Sequence, residues 1–191
     1  MTDEEIADRI GPMFAKIAAD GDLALKALSL PDGAAVLDVG TGAGNFAIFL
    51  GSRGFDVLTG EPSTDQTHYA GQDWAANAEQ AGLADKIRFK PFDAGAMPFG
   101  DGAFAGAFFF GVLHHIDEDI RNAVLAEAVR VTGGTGAVVF FEPRAELLEK
   151  LWETDPGHPL AADPSAYLEG LNVRTERLQG AMMDITIVRA A

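Results

Sequence analysis

The sequence predicts an α/β protein whose doubly wound, mostly parallel sheet ends in an antiparallel hairpin. From residue 34 onward, short apolar runs alternate with segments in which apolar residues recur at helical spacing. Two later runs of strand type are joined around Gln179-Gly180, a connection so short that these strands must be antiparallel neighbours. The chain has 191 residues, 48% of them hydrophobic, which is enough for one compact domain with a sizeable core.

The first 33 residues form two predicted helical pieces. Their apolar residues recur at helical spacing, and Gly11-Pro12 marks a kink or break between the pieces. Pro31-Asp32-Gly33 is a strong turn signal that ends this part of the chain. We therefore divide the compact domain into an N-terminal helical cap, residues 1–33, and a core, residues 34–191.

Strands and helices alternate through the middle of the chain, which favours a parallel sheet with helices on both faces. The predicted strands are 34–39, 55–59, 87–91, 104–110 and 137–141. The predicted helices are 44–53, 63–82 and 117–131. The start of the second helix rests on Ser63 and Gln66, because a serine followed three residues later by glutamine is a capping-box signature.

The C-terminal part departs from this alternation. Residues 144–152 are predicted to be helical, and prolines mark 154–164 as a loop. Asp163-Pro164 fits a helix N-cap followed by proline at the first helical position, which predicts a short helix to about Gly170. The predicted hairpin strands are 173–178 and 182–188.

Charge and composition narrow the classes of partner. A formal net charge of −15 repels phosphate backbones, so we expect no nucleic-acid partner. The absence of cysteine excludes disulfides and thiolate metal sites and fits a reducing cytoplasm. The acidic start, Met1 to Glu5, is unlike a signal peptide, and apolar runs such as 103–113 are too short to span a bilayer. We therefore expect a cytoplasmic protein without a membrane partner.

The most informative segment is a short apolar strand that runs into a glycine turn and then into a helix. Asp38 precedes glycines at 40, 42 and 44, and a second acid, Glu61, ends the next strand. These residues lie at the carboxyl ends of strands, where open parallel sheets bind ligands. Glycines let a ligand approach the backbone closely, and the helix start offers free N–H groups. The two acids indicate a ligand with hydroxyls and an amine or ammonium group, such as an adenosyl amino acid.

A dinucleotide site is the first alternative. Its fingerprint is Gly-x-Gly-x-x-Gly with an acid about 20 residues further on. Here Asn45 stands where the third fingerprint glycine would be, and acids at Asp38 and Asp93 lie outside that pattern. An NAD-dependent oxidoreductase is therefore the less favoured reading of the glycine turn.

Six motifs follow one another between residues 34 and 143. They are Val-Leu-Asp-Val-Gly-Thr-Gly-Ala-Gly at 36–44, Thr-Gly-Glu-Pro-Ser at 59–63, Phe-Asp-Ala at 92–94, Met-Pro-Phe at 97–99, Gly-Val-Leu-His-His-Ile at 111–116 and Gly-Gly-Thr-Gly at 133–136. In this order and spacing they resemble the class I S-adenosylmethionine-dependent methyltransferases, most closely the type 11 subgroup. The resemblance implies a Rossmann-like fold, S-adenosyl-L-methionine as cofactor and methyl transfer as the reaction.

The resemblance assigns roles around the methionine part and the ribose of the cofactor. Gly40, Gly42 and Gly44 would let the backbone pass close to the methionine part. Asp38 would orient that loop and reach the ammonium group, directly or through water. Glu61 would accept hydrogen bonds from both ribose hydroxyls, since a carboxylate can accept two at once.

The resemblance also assigns roles around the adenine ring. Asp93 would accept from the adenine amino group, while the backbone of Phe92 and Ala94 would hold the ring edge. Pro62 would pack against the ring face. The remaining pocket residues, which would complete the methionine pocket through their backbone, are Phe110 and Gly111. The alternatives are a plain strand-to-helix turn at the glycines and a plain turn at Asp93.

His114 and His115 follow the fourth predicted strand, where the acceptor should meet the methyl group. One of them would act as a general base or as a hydrogen-bond donor to the acceptor. The alternative is that one packs against, or caps, the helix that starts at Asp117. We expect no metal site, because two adjacent histidines make no ligand set and no cysteine or close carboxylate cluster supports them.

The acceptor is the least constrained part of the prediction. Side chains that cover it can come only from the N-terminal helices and from the proline-marked loop. The candidates are Met13, Phe14, Trp152, His158 and Tyr167. Either a small molecule enters an open cleft, which we prefer, or a partner subunit such as the second copy of a homodimer closes it. A protein side chain is the next choice of acceptor, and an inactive cofactor-binding regulatory or scaffold protein is the non-enzyme alternative.

Overall fold

Seven strands form one sheet in the computed structural model, which describes residues 1–191. They are β1 (Ala35–Val39), β2 (Asp56–Gly60), β3 (Ile87–Phe89), β4 (Gly106–Phe110), β5 (Ala137–Pro143), β6 (Val173–Gln179) and β7 (Met183–Ala190). Their order in the sheet is β3-β2-β1-β4-β5-β7-β6. Strands β1 to β5 pair in parallel, and β7 runs antiparallel to both β5 and β6. The direction of the strand order reverses between β1 and β4, so the ligand-binding switch point lies at their carboxyl ends.

Six α-helices surround the sheet. They are α1 (Asp3–Ile10), α2 (Met13–Ala27), α3 (Asn45–Ser52), α4 (Trp74–Gln80), α5 (Arg121–Thr132) and α6 (Ala145–Thr154). A short 3-10 turn at Leu113–His115 follows β4, and another at Pro164–Tyr167 precedes β6. None of the helices is both long and apolar enough to cross a bilayer.

The core has two parts, one on each face of the sheet. Successive strand residues point to opposite faces, so neighbouring phenylalanines of β4 serve different parts. Phe108 packs in one part with Phe46 and with the helices α1 to α4, whereas Phe109 stacks on Phe140 in the other, with a ring separation of 4.6 Å. Helix α5 covers this second face. The doubly wound sheet and its antiparallel hairpin are therefore confirmed, and Phe14, a candidate to cover the acceptor, is buried in the first part of the core.

The predicted helix over 63–82 is wrong for its first half. Residues 61–73 form turns, and helix α4 begins only after Asp73, whose side chain accepts the Ala76 N–H at 3.1 Å. Local side-chain bonds compete with the helix, because Asp65 accepts the N–H of Thr67 at 2.8 Å. Gly71 then adopts a positive φ of 66°, a conformation that ends helical propagation. The capping-box signature at Ser63 is therefore not used.

A buried carboxylate fixes the C-terminal hairpin to the N-terminal helices. Asp20, in the middle of α2, is 1% exposed and accepts the backbone N–H groups of Ala181, Met182 and Met183 at 2.6, 2.9 and 2.9 Å. Gly180 makes room for it, because a Cβ there would lie 2.6 Å from the carboxyl carbon of Asp20. One side chain therefore satisfies three donors of the turn that leads into β7.

Candidate active site

The loop between β1 and α3 can be built only from glycines at three positions. Gly40, Gly42 and Gly44 have φ of 87°, 47° and 78°, in the left-handed region that other residues rarely adopt. A Cβ on Gly40 would lie 2.5 Å from Val112 Cγ2, and one on Gly44 would lie 2.9 Å from Trp74 Cβ. The loop thus lies directly against the chain that follows β4 and against the start of α4.

Asp38 lies at the end of β1 and is 1% exposed. The Thr59 hydroxyl donates to its Oδ2 at 2.7 Å and lies 2.9 Å from the Thr41 hydroxyl. The other oxygen, Oδ1, is buried without a hydrogen-bond partner. Burial raises the pKa of Asp38 to about 7. An unpaired acidic oxygen beside a glycine loop fits a ligand with an ammonium group.

Glu61 connects the glycine loop to the segment 62–73. Its Oε2 accepts the N–H of Gly42 at 3.0 Å, and its Oε1 accepts the N–H of Gly71 at 2.7 Å. The carbonyl oxygen of Tyr69 lies 3.3 Å from where a Cβ on Gly42 would be. Segment 62–73 therefore lies across the glycine loop, and the carboxylate expected to bind ribose is within reach of both.

The residues expected at the adenine ring lie after β3. Phe92 and Ala94 are buried, at 6% and 9% exposure, and Phe92 donates its N–H to the Glu61 carbonyl at 3.3 Å. Asp93 is exposed, and its Oδ1 accepts the N–H of Gly95 at 2.8 Å. One oxygen of the Asp93 carboxylate, Oδ1, thus accepts a hydrogen bond within the turn, and the other, Oδ2, makes no hydrogen bond within the protein.

The chain after β4 completes this edge of the sheet. The ring of Phe110 stacks on Phe46 with a centroid separation of 4.8 Å, which places it in the first part of the core as well as at the sheet end. Gly111 has φ of 69° and donates its N–H to the Phe141 carbonyl at 2.8 Å. Glycine at 111 therefore allows the turn that brings the following histidines back over the strand ends.

Three histidines, which we call the histidine cluster, meet beyond the ends of β4 and β5. They are His114, His115 and His158, and each offers a ring nitrogen within 4.8 Å of the other two. His114 Nδ1 lies 2.8 Å from Glu142 Oε2, an oxygen that also accepts the Ala162 N–H at 2.8 Å. His114 is 4% exposed and His158 is 7% exposed, whereas His115 keeps an exposed edge.

Segment 62–73 reaches the histidine cluster through Tyr69. The Tyr69 hydroxyl donates to Asp155 Oδ2 at 2.8 Å and lies 3.0 Å from His158 Nδ1. Its ring lies 4.9 Å from that of His115. Trp152 donates its indole N–H to the His158 carbonyl at 2.8 Å, which fixes the loop that carries the third histidine.

Burial controls the electrostatics of this cluster. Burial lowers the pKa of His115 to about 4, and the positive charges that His114 and His158 would carry lower it further. Burial also lowers the pKa of His158, and the charge that His114 would carry acts in the same direction. Burial and the bond to Asp155 raise the pKa of Tyr69 to about 12. The Tyr69 hydroxyl, in turn, lowers the pKa of Asp155. At neutral pH, His115 and His158 are therefore neutral imidazoles with lone pairs available.

Comparison with known proteins decides the family. A family model described as a methyltransferase domain matches residues 36–136, slightly more than half of the chain. The chain belongs to this methyltransferase family. The class I S-adenosylmethionine-dependent methyltransferase indicated by the sequence motifs is confirmed, with S-adenosyl-L-methionine as cofactor.

Individual relatives agree with this assignment. The ubiquinone/menaquinone biosynthesis C-methyltransferase UbiE of Cellvibrio japonicus is 27% identical, in an alignment that covers 79% of this methyltransferase and 67% of that protein. A SAM-dependent methyltransferase from Aquifex aeolicus has the same fold, with a TM-score of 0.66 and 19% identity over 98% of each chain. The PH0226 protein from Pyrococcus horikoshii has a TM-score of 0.68 and 20% identity over 93% of this chain and 90% of its own.

The structure of the methyltransferase brings most of the proposed site residues to one edge of the sheet. Asp38, the glycine loop and Glu61 meet at the switch point, and the histidine cluster lies beside them. Glu142, a carboxylate that the sequence did not associate with the histidines, lies 2.8 Å from His114. Sequence reasoning did not find Tyr69 or the pairing of His158 with His115, since both come from loops distant along the chain. For His158, the only signal in the sequence is its position directly after Pro156-Gly157.

Asp38→Asn is expected to stabilise the ligand-free methyltransferase increasingly as the pH rises above 6. The folded-state pKa of about 7 exceeds the ordinary value of 3.8, so the folded protein keeps a proton that the unfolded chain has released. The stability contributed by Asp38 is complete below about pH 4 and is lost as the pH rises through 7. Asparagine does not titrate, so the difference in unfolding free energy should shift in its favour by about 1.4 kcal/mol between pH 6 and 8.

Urea unfolding of both proteins at pH 6 and pH 8 measures this shift. The control is Asp85→Asn, because Asp85 is an exposed aspartate. A difference between wild type and Asp38→Asn that does not change with pH would show that Asp38 is already ionised in the folded state.

Proposed function

We propose that this methyltransferase transfers the methyl group of S-adenosylmethionine by direct displacement to a small-molecule acceptor. The transfer takes place at the carboxyl ends of β4 and β5. The observation that carries the proposal is the position of Glu61, whose carboxylate accepts the N–H of Gly42 in the glycine loop and whose charge acts on the buried Asp38. Acceptors for the ribose hydroxyls and for the ammonium group, in the form of these two carboxylates, suit a loop that admits a close ligand.

The chain's residues bind and orient the two reactants. Glu61 accepts from the ribose hydroxyls, Asp38 accepts from the ammonium group, and the free carboxylate oxygen of Asp93 accepts from the adenine amino group. The bound cofactor supplies a methyl group on a sulfonium, which is already a good leaving group. The protein therefore has mainly to align the nucleophile with the methyl carbon and to exclude water. Tyr69 contributes to the exclusion, because it spans from the glycine loop to Asp155.

Unpaired buried atoms support an active enzyme over an inactive scaffold. Glu142 Oε1 and His158 Nε2 are buried without partners at the histidine cluster. A buried polar atom without a partner destabilises a protein by about 1–3 kcal/mol, so such atoms persist where a ligand completes their bonds. In a protein that only binds the cofactor, we would expect apolar side chains to fill the space around Glu142 Oε1 and His158 Nε2.

Three observations support a small-molecule acceptor. The acidic chain, with a net charge of −15, opposes binding of nucleic acid. The Tyr69 ring lies 4.9 Å from that of His115 and covers the histidine cluster on that side, which suits a small reactant more than a protein side chain. The relative from Cellvibrio japonicus is named for the biosynthesis of ubiquinone and menaquinone, which are small molecules.

A thermal melt with three ligands in parallel tests the cofactor site. S-adenosylmethionine or S-adenosylhomocysteine at about a hundred times its dissociation constant should add about 2.7 kcal/mol, which raises the melting temperature of a chain this long by about 5–10 °C. NAD should produce no shift. A shift with NAD and none with the adenosyl compounds would overturn the site and make Glu61 a dinucleotide ribose contact. Release of S-adenosylhomocysteine during a screen of small acceptors then tests the transfer itself.

A further inference from the structure

The histidine cluster has the spacing of a metal site with one face open. Its three ring nitrogens lie within 4.8 Å of one another. Nitrogen ligands of a tetrahedral Zn²⁺ lie about 3.4 Å apart when the bonds are 2.0–2.1 Å long. The ring nitrogens would therefore approach one another by up to about 1.4 Å when an ion binds. His115 has an exposed edge, which gives an ion a path from solvent.

The surroundings of the two buried histidines favour metal binding independently of this spacing. Glu142 Oε2 holds His114 by Nδ1 at 2.8 Å, and Tyr69 and Asp155 hold His158 by Nδ1 at 3.0 and 3.5 Å. The Nε2 of His158 is buried and has no partner at all. A carboxylate or hydroxyl on one ring nitrogen, with the other nitrogen free, is the arrangement that orients metal-bound histidines.

We propose that His114, His115 and His158 bind a divalent transition-metal ion of the zinc class, with the fourth position open to the methyl acceptor. Three imidazoles and no thiolate match the donor set of zinc sites that keep one position for water or substrate. The proposal replaces the general-base role expected for His114 or His115. Glu142 acts through His114 and is therefore a positioning residue.

The ion defines the class of acceptor, and this step rests on the proposed methyl transfer. An acceptor with a hydroxyl or thiol group binds the ion through its oxygen or sulfur, and the proton of that group goes to solvent. The lone pair of that atom then attacks the methyl carbon. The bond between methyl and sulfonium sulfur breaks, and its electron pair stays on sulfur. The products are S-adenosylhomocysteine and the methyl ether or thioether.

Cobalt and zinc titrations of the chelator-treated, metal-free protein test the site. We expect one Co²⁺ per chain with the visible absorption of four-coordinate cobalt, displaced by Zn²⁺, and a saturable Zn²⁺ isotherm by calorimetry. His115→Ala and His158→Ala should each weaken Zn²⁺ binding at least a hundredfold, and Glu142→Gln should weaken it 10- to 100-fold. His68→Ala is the matched control, because His68 is the one histidine outside the cluster and its loss should leave binding unchanged.

Two outcomes would overturn the site. One is the absence of saturable Co²⁺ and Zn²⁺ binding by the wild-type protein, and the other is unchanged Zn²⁺ binding by His115→Ala. The exposed position of His115 keeps this variant informative even if His158→Ala does not fold. Titration of the same metal-free protein with S-adenosylmethionine separates the two proposals. Cofactor binding without metal binding rejects the metal site alone, and metal binding without cofactor binding rejects the methyl-transfer function alone.

Discussion

Glu61→Gln is expected to weaken S-adenosylmethionine binding by about a hundredfold. In the proposed site, the carboxylate of Glu61 would offer two charged acceptor oxygens to the ribose hydroxyls, and glutamine replaces one of them by an NH₂ group that cannot accept. Loss of one hydrogen bond to a charged acceptor corresponds to about 1.5–3 kcal/mol. The new NH₂ group also faces the N–H of Gly42 or Gly71, both of which now donate to the carboxylate. A loss of about 2.7 kcal/mol is a hundredfold in dissociation constant.

Isothermal titration calorimetry of both proteins with S-adenosylmethionine measures this change. The matched control is Glu79→Gln, which removes an exposed carboxylate on α4 and should leave affinity unchanged. The melting temperature without ligand separates binding from folding, because Glu61 also joins two loops. An unchanged dissociation constant for Glu61→Gln would remove this residue from the cofactor site.

Asp20→Ala is expected to lower the free energy of unfolding by about 3–5 kcal/mol. Its carboxylate accepts three backbone N–H groups, from Ala181, Met182 and Met183. A buried donor left without a partner destabilises the fold by about 1–3 kcal/mol. The Met183 N–H is buried, whereas those of Ala181 and Met182 are partly buried, so water returns part of their loss. The loss is a large share of the 5–15 kcal/mol that stabilises a typical domain.

Urea denaturation followed by circular dichroism gives the unfolding free energy of each variant. Asp8→Ala serves as the control, because Asp8 is an exposed aspartate on α1. A loss for Asp20→Ala no larger than that for Asp8→Ala would mean that the three N–H groups find other partners when the carboxylate is removed.

Local sequence patterns were sufficient for the sheet and for the glycine loop. The apolar runs of β1 and β4 are buried on both faces, so their composition directly reflects their position. The short link between β6 and β7 allows only one pairing geometry. Segment 62–73 was mispredicted for the opposite reason. Its conformation depends on the bond from Gly71 to Glu61, a contact with a different element that competes with the helix signal at Ser63.

The same distinction applies to the candidate site. Asp38 and the three glycines are contiguous with one strand, so the sequence alone places them. The histidine cluster needs His158, which lies more than 40 residues after His114 and arrives on an irregular loop fixed by Trp152 and Asp155. No periodic pattern in the sequence indicates that His158 lies close to His114. The histidine cluster is therefore visible only in three dimensions.

The position of β7 in the sheet affects the order in which the chain can fold during synthesis. This strand lies between β5 and β6 in the sheet and pairs with both, although it is synthesised after both. Until the ribosome has added residues 181–190, β5 has an unpaired apolar edge, and the Asp20 carboxylate of α2 lacks the N–H donors that it binds in the folded protein. Unpaired edges of this kind promote aggregation in growing chains. The protein's need for chaperones should therefore be greatest just before β7 emerges.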